Sequence, residues 1–228
     1  MALTGQSVKR KEDPRFITGK GRYTDDLVLP NQCYAHFVRS PVAHATIKKI
    51  EVGDLGSQPG VRKILTGKDY AKSGLGTLMC GWMIHSKDGS EMKSGLHPPL
   101  VLERARYVGD PIAVVIADSK EIARTIAESI EIEYEELEVI TLSNVYEKKT
   151  IIHDVAENNI AFDWELGDPK AVEKAKNSSK YQIPLRLYNN RLAPNAMETR
   201  CLNASYDERD DRYTLYIASQ NPHGLRMT

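Results

Sequence analysis

A continuous apolar run, Pro111 to Ala117, is followed at once by a helical period, and this junction constrains the fold more than any other stretch. The run suits a buried strand. Asp118 or Ser119 can cap a helix by accepting from a free backbone N–H of its first turn. Ile122, Ala123, Ile126, Ala127 and Ile130 then fall on one helical face. Ile130 to Tyr134 alternates as a following strand. This strand–helix–strand unit predicts an α/β class for the first part of the chain.

The segments around it can be read the same way. Tyr34 to Ser40 alternates and is ended by Pro41. Thr46 to Val52 reads as a second strand, and Val61 to Thr66 as a third after a Pro59-Gly60 turn. The first thirty residues form an irregular arm with no apolar period. Residues 68 to 105 hold Gly, Ser, Lys and Pro99 with few apolar runs, and loops of such length are often functional or cover a partner. Near residue 140 the composition shifts to polar connectors. Asp168-Pro169 is a helix start, with an acidic cap and Pro at the first helical position. Tyr181, Ile183, Leu185 and Leu187 alternate as a strand. Leu202 to Tyr206 and Tyr213 to Ser219 flank the acidic turn Asp207 to Asp211, which predicts a hairpin. This second part reads as the start of a domain rather than a whole one.

Composition excludes several functions. Lys+Arg and Asp+Glu are both 31, so the formal net charge is zero. Nucleic-acid binders carry a basic excess or block, and Lys9-Arg10-Lys11 is cancelled at once by Glu12 and Asp13. A membrane-spanning helix needs about 20 apolar residues, and the longest aliphatic run is Ile112 to Ala117. Met1 to Gly5 lacks the basic and apolar regions of a signal peptide. Cys33, Cys80 and Cys201 are far apart with no C-x-x-C, which argues against a disulfide framework or zinc site and for a reducing, cytoplasmic location. The six histidines are scattered without metal-ligand spacing, so no metal site is expected from these residues. Gly19-Lys20-Gly21 and Thr66-Gly67-Lys68-Asp69 do not match the phosphate-cradling patterns. Glu131, Glu133 and Glu135 alternate onto one side, as a solvated strand face does. Cys80 and His85, in the irregular loop, read as a plain thiol and a surface histidine. From these residues alone the chain is a soluble α/β protein without an identifiable active site.

Six segments, in order over nearly the whole chain, carry a resemblance. They are Val8 to Asp13 with Thr18 to Asp26; Val38-Arg39-Ser40-Pro41-Val42-Ala43-His44-Ala45; Pro59-Gly60-Val61 with Leu65 to Asp69; Arg106 to Val115; Ala196-Met197-Glu198-Thr199-Arg200; and Ser219-Gln220-Asn221-Pro222-His223. Together they resemble the molybdenum-binding large subunit of the xanthine dehydrogenase and aldehyde oxidase family, of the carbon monoxide dehydrogenase large-chain type.

The resemblance implies an α/β (α+β) fold. Residues 1–138 would form an N-terminal arm plus a hammerhead domain, and 139–228 a linker and the beginning of a molybdopterin-binding domain. It implies a molybdenum hydroxylase that oxidises a small substrate with water-derived oxygen, at molybdenum bound to a molybdopterin dinucleotide. FAD and iron–sulfur clusters would sit on partner subunits, since the cofactors carry the hard chemistry. Gln220 matches the family's glutamine that lies beside the molybdenum and hydrogen-bonds to its oxygen ligand. An amide suits that role because it donates without adding a charge or replacing a ligand. Met197, Glu198 and Arg200 are expected to be structural supports. Arg39 and His44 are expected to sit in a turn held by side-chain hydrogen bonds. The family's Gly-rich cofactor segment and catalytic glutamate have no counterpart here, so no catalytic residue is expected in this chain. It is expected to be a piece of a split or truncated large subunit, inactive alone and completed by a partner chain. The alternative is a non-catalytic hammerhead scaffold or assembly protein. Carbon monoxide, an aldehyde and an N-heterocycle all fit as substrates.

Overall fold

The structure is a computed structural model that describes residues 4–78, 80–196 and 198–227. In chain order the elements are α1 (Asp13–Ile17), β1 (Tyr34–Arg39), β2 (Ala45–Glu51), β3 (Val61–Thr66), α2 (Gly67–Lys72), β4 (Arg104–Ala105), β5 (Pro111–Ala117), α3 (Lys120–Glu128), β6 (Glu131–Glu136), α4 (Pro169–Ser178), β7 (Leu202–Asp207), β8 (Arg212–Ile217) and α5 (Pro222–Met227). They fall into two compact units. One is Cys33–Ile183; the other joins Met1–Gln32 to Pro184–Thr228.

In the Cys33–Ile183 unit, β5 is the middle strand of an antiparallel sheet ordered β1-β5-β3. Its position explains its sequence. A strand paired on both edges and covered by a helix needs no polar alternation, and Ile112, Ala113, Val114, Val115 and Ala117 are all buried. Ser119 caps α3, its hydroxyl accepting from Ile122 N at 3.2 Å. The helix lies on β1 and β5 and buries Ala123, Ile126 and Ala127. Val115, Ile126, Ala127 and Ile130 form the core, flanked by Val38, Val61 and Ile64 of the first sheet and Ile50 and Ile132 of the second. Gly60 opens β3 at φ +81°, and a Cβ there would lie 2.7 Å from the Ile122 side chain. Glycine therefore serves both the turn and the close approach of α3.

The strand–helix–strand reading holds for the elements, but the two strands do not share a sheet. Both edges of β5 are taken by β1 and β3, so β6 pairs instead with β2, in a second antiparallel sheet ordered β4-β2-β6. Glu131, Glu133 and Glu135 are exposed while Ile132 and Tyr134 turn inward.

Two expectations are corrected. Residues 68–105 are not wholly irregular. They include most of α2, whose Thr66–Asp69 capping box satisfies the first turn, and the two-residue β4. The segment around Tyr181, Ile183, Leu185 and Leu187 is not a strand. Alternation defines a face, but a strand also needs a ladder partner. These four side chains are exposed instead.

In the other unit, β7 and β8 form the hairpin read from sequence, in register from Leu202↔Ile217 to Asp207↔Arg212. Its tight end is closed by Asp207, whose Oδ1 accepts from Arg209 N at 3.0 Å, and by Asp211 at φ +47°. The arm is not wholly irregular either. It contains α1, started by Pro14, and a single 3-10 turn at Thr24–Asp26.

Candidate functional site

Gln220 emerges where β8 ends. The chain bends there into α5, and its neighbours are committed to the backbone. Ser219 Oγ accepts from Asn221 N at 3.0 Å, and Asn221 Oδ1 accepts from Gly224 N at 3.0 Å. Both are short-range turns of the kind Ser and Asn provide. Gln220 itself is exposed, so its amide is presented outward from a bend fixed on either side.

Glu198, Arg39 and His44, also singled out from sequence, make contacts within the fold. Glu198 Oε1 accepts from both N and Oγ1 of Thr24, at 3.1 and 3.2 Å. Arg200 is exposed. Met197 lies outside the described residues. Arg39 donates to the Gly109 carbonyl at 2.9 Å. His44 is buried, its Nδ1 paired with the Glu138 carbonyl at 2.8 Å, while its Nε2 is enclosed without a hydrogen-bond partner among the described residues. Ser40, also buried, bonds Val42 through both its hydroxyl and the Val42 N–H. The turn after β1 is thus held by side-chain hydrogen bonds, as the sequence reading expected.

A second polar cluster was not read from sequence. Arg106 donates from Nε to the Ile152 carbonyl at 2.9 Å, and its backbone N–H donates to Asp110 Oδ2 at 3.0 Å. The His97 and Tyr107 rings stack at 6.5 Å and 4°. Burial, then the charge of Arg106 and the proximity of His97, holds His153 below the usual histidine range. Burial and the nearby Asp110 carboxylate push Tyr107 up. This cluster joins Arg106 to Ile152, 46 positions on, which is why spacing could not find it. Its contacts tie the irregular loop to the 150s. Among the described residues, no group of three or more His, Cys, Asp or Glu could hold a metal ion. Nor is any helix there long and apolar enough to cross a membrane.

The bend presents a neutral donor, suited to an oxygen-rich group. Gln220 offers N–H donors without charge, so it can contact an anionic or metal-bearing cofactor without neutralising it. It is one donor, not a cradle.

Comparison with known proteins gives this geometry a context. The family model for the aldehyde oxidase and xanthine dehydrogenase a/b hammerhead domain matches residues 18–138, and that for the molybdopterin cofactor-binding domain matches residues 152–228. The carbon monoxide dehydrogenase large chain of Hydrogenophaga pseudoflava is 31% identical over 99% of this chain and 29% of its own length. The nicotine 6-hydroxylase large subunit of Paenarthrobacter nicotinovorans is 30% identical, over 99% of this chain and 27% of its own. The crystal structure of quinoline 2-oxidoreductase from Pseudomonas putida 86 superposes with a TM-score of 0.83 at 32% identity, over 98% of this chain and 28% of that one. The chain therefore spans less than a third of the length of the curated relatives it matches.

Proposed function

Because this chain belongs to the aldehyde oxidase and xanthine dehydrogenase family, homologous to its molybdenum-binding large subunits, we propose that it forms the N-terminal portion of a molybdenum hydroxylase large subunit. In this reading residues 1–138 are arm and hammerhead, and 139–228 a linker and the start of the molybdopterin-binding domain. The protein oxidises a small substrate with water-derived oxygen, and only with a partner chain that completes the cofactor site. FAD and iron–sulfur clusters on partner subunits would supply the onward electron transfer. The cytoplasm suits three cysteines scattered without C-x-x-C spacing.

One observation carries the reading. Both family matches run in order along the chain, and the second, over residues 152–228, includes the bend that presents Gln220. The molybdenum–molybdopterin group supplies the redox chemistry when bound. The role of this chain is narrower. Gln220 would hold that group through a hydrogen bond from its amide N–H and help orient it. Ser219 and Asn221 hold the bend so that the donor is aimed before the group arrives. Exposed Tyr181, Ile183, Leu185, Leu187 and Leu192 support the dependence on a partner, since an apolar stretch of this kind marks an interaction surface.

Replacing Gln220 by Ala in the assembled complex tests the site. Losing one such donor is expected to lower turnover by about 10- to 100-fold, the usual cost of a partner near a metal group, with co-purification of the chains intact. Unchanged turnover would remove Gln220 from the site.

A further inference from the structure

The hairpin register places Gln220 at the same end as the start of β7. Leu202 lies opposite Ile217 and Asn203 opposite Tyr216, and Gln220 follows three residues after Ile217. That open end is bonded to the N-terminal arm. Asn203 is 9% exposed, and its Nδ2 donates to the Leu27 carbonyl at 3.1 Å and to Gln32 Oε1 at 2.8 Å. Gln32 Oε1 also accepts from Leu29 N at 2.9 Å, so this part of the arm is closed on itself as it takes the bond. Just before β7, Glu198 receives both Thr24 donors, and the Cys201 thiol meets Asp25 Oδ1 at 3.7 Å. The receiving turn is pre-formed, because Tyr23 N donates to Asp26 Oδ2 at 2.9 Å.

A two-stranded hairpin is marginal by itself in water. The turn end of this one is closed locally, so the order of the open end depends on what holds it. Resting on the reading of Gln220 as a cofactor neighbour, we propose that Glu198 and Asn203 are positioning residues that clamp the open end of the hairpin to the arm and so fix the point from which Gln220 emerges. The arm is then a working part of the cofactor site, although it lies roughly two hundred residues from Gln220 in the sequence.

Amide hydrogen exchange on the full chain, read by peptide mass spectrometry, tests the clamp without cofactor. Asn203→Asp keeps the side-chain shape but replaces two donors with a carboxylate facing two oxygen acceptors. Glu198→Ala removes the acceptor of Thr24, whereas Glu198→Gln keeps an acceptor oxygen. The first two variants are expected to speed exchange over residues 212–225 about tenfold, the equivalent of one lost hydrogen bond. Residues 111–130 should exchange as in the wild type, and Glu198→Gln should restore wild-type exchange throughout. Unchanged exchange over 212–225, equal acceleration over 111–130, or a Glu198→Gln variant as perturbed as Glu198→Ala would each overturn the proposal. Its failure is distinct from that of the site reading. If Gln220→Ala leaves turnover intact, Gln220 loses its role while the exchange result still decides the clamp.

Discussion

Val115→Ala is the sharpest test of the core. Val115 is 0% exposed and packs with Ile126, Ala127 and Ile130 beneath α3. Truncation removes two methyl groups, worth about 0.8 kcal/mol each in transfer from water, or ~1.6 kcal/mol. It leaves a void of about 50 Å³, which at about 24 cal/mol per Å³ adds ~1.2 kcal/mol if the walls do not collapse. The expected loss is therefore about 3 kcal/mol, a large share of the usual 5–15 kcal/mol of a domain. Urea denaturation of the full chain followed by far-UV circular dichroism reads it. Among the described residues, the Cys33–Ile183 unit holds six of the eight strands and α2 to α4, so it dominates the signal. With a slope of about 2 kcal/mol per molar, the midpoint should fall by about 1.5 M. Ile183→Ala is the control, because Ile183 is equally apolar but 86% exposed. It should shift the midpoint by less than about 0.3 M, as surface substitutions do. A Val115→Ala midpoint within that same margin, or an Ile183→Ala loss as large as that of Val115→Ala, would refute the placement of the core.

Two further predictions concern packing and protonation. A Cβ at Gly67 would overlap the Val101 backbone carbonyl, which cannot yield as a side chain can. Gly67→Ala should therefore cost about 3 kcal/mol, at the upper end for overpacking, and a wild-type urea midpoint would contradict the close approach of α2 to that segment. His153 lies below the usual histidine range because it is buried, with Arg106 and His97 nearby. The unfolded chain therefore binds this proton at higher pH than the folded one, so stability declines as pH falls below about 6.5 and levels off once folded His153 is protonated as well. Tm measured from pH 7.5 down to 5.5 should show this decline, and His153→Asn should flatten it; equal slopes in both proteins would exclude His153 as the source.

How much the sequence disclosed depended on the range of the interaction. The β5–α3 junction was legible because burial and a local cap write a pattern into neighbouring residues: the run Ile112 to Ala117, then Ser119, then the Ala123–Ile126–Ala127 face. The hairpin was legible for the same reason, with Asp207 and Asp211 shaping its turn. The Thr66–Asp69 capping box is also a local pattern, but with Asp in place of the usual Glu or Gln at its third helical position it carries a weaker signature. Strand partnership was not legible. Nothing in Ile132 or Tyr134 says that they pair with β2 rather than β5, and nothing in Tyr181 to Leu187 says that no strand pairs with them among the described residues. Gln220 could be singled out only through the family resemblance, since an exposed glutamine at a bend has no pattern of its own. The arm–hairpin bonds of Thr24 to Glu198 and of Gln32 to Asn203 link residues more than 170 positions apart, beyond any local reading.

We propose that this chain works as part of a molybdenum hydroxylase. Native purification of the chain from its source cells tests it most directly, with partner chains identified by mass spectrometry and molybdenum measured in the same sample. Stoichiometric molybdenum is expected, together with a chain that carries the rest of the cofactor domain. A chain recovered alone and free of molybdenum would contradict it.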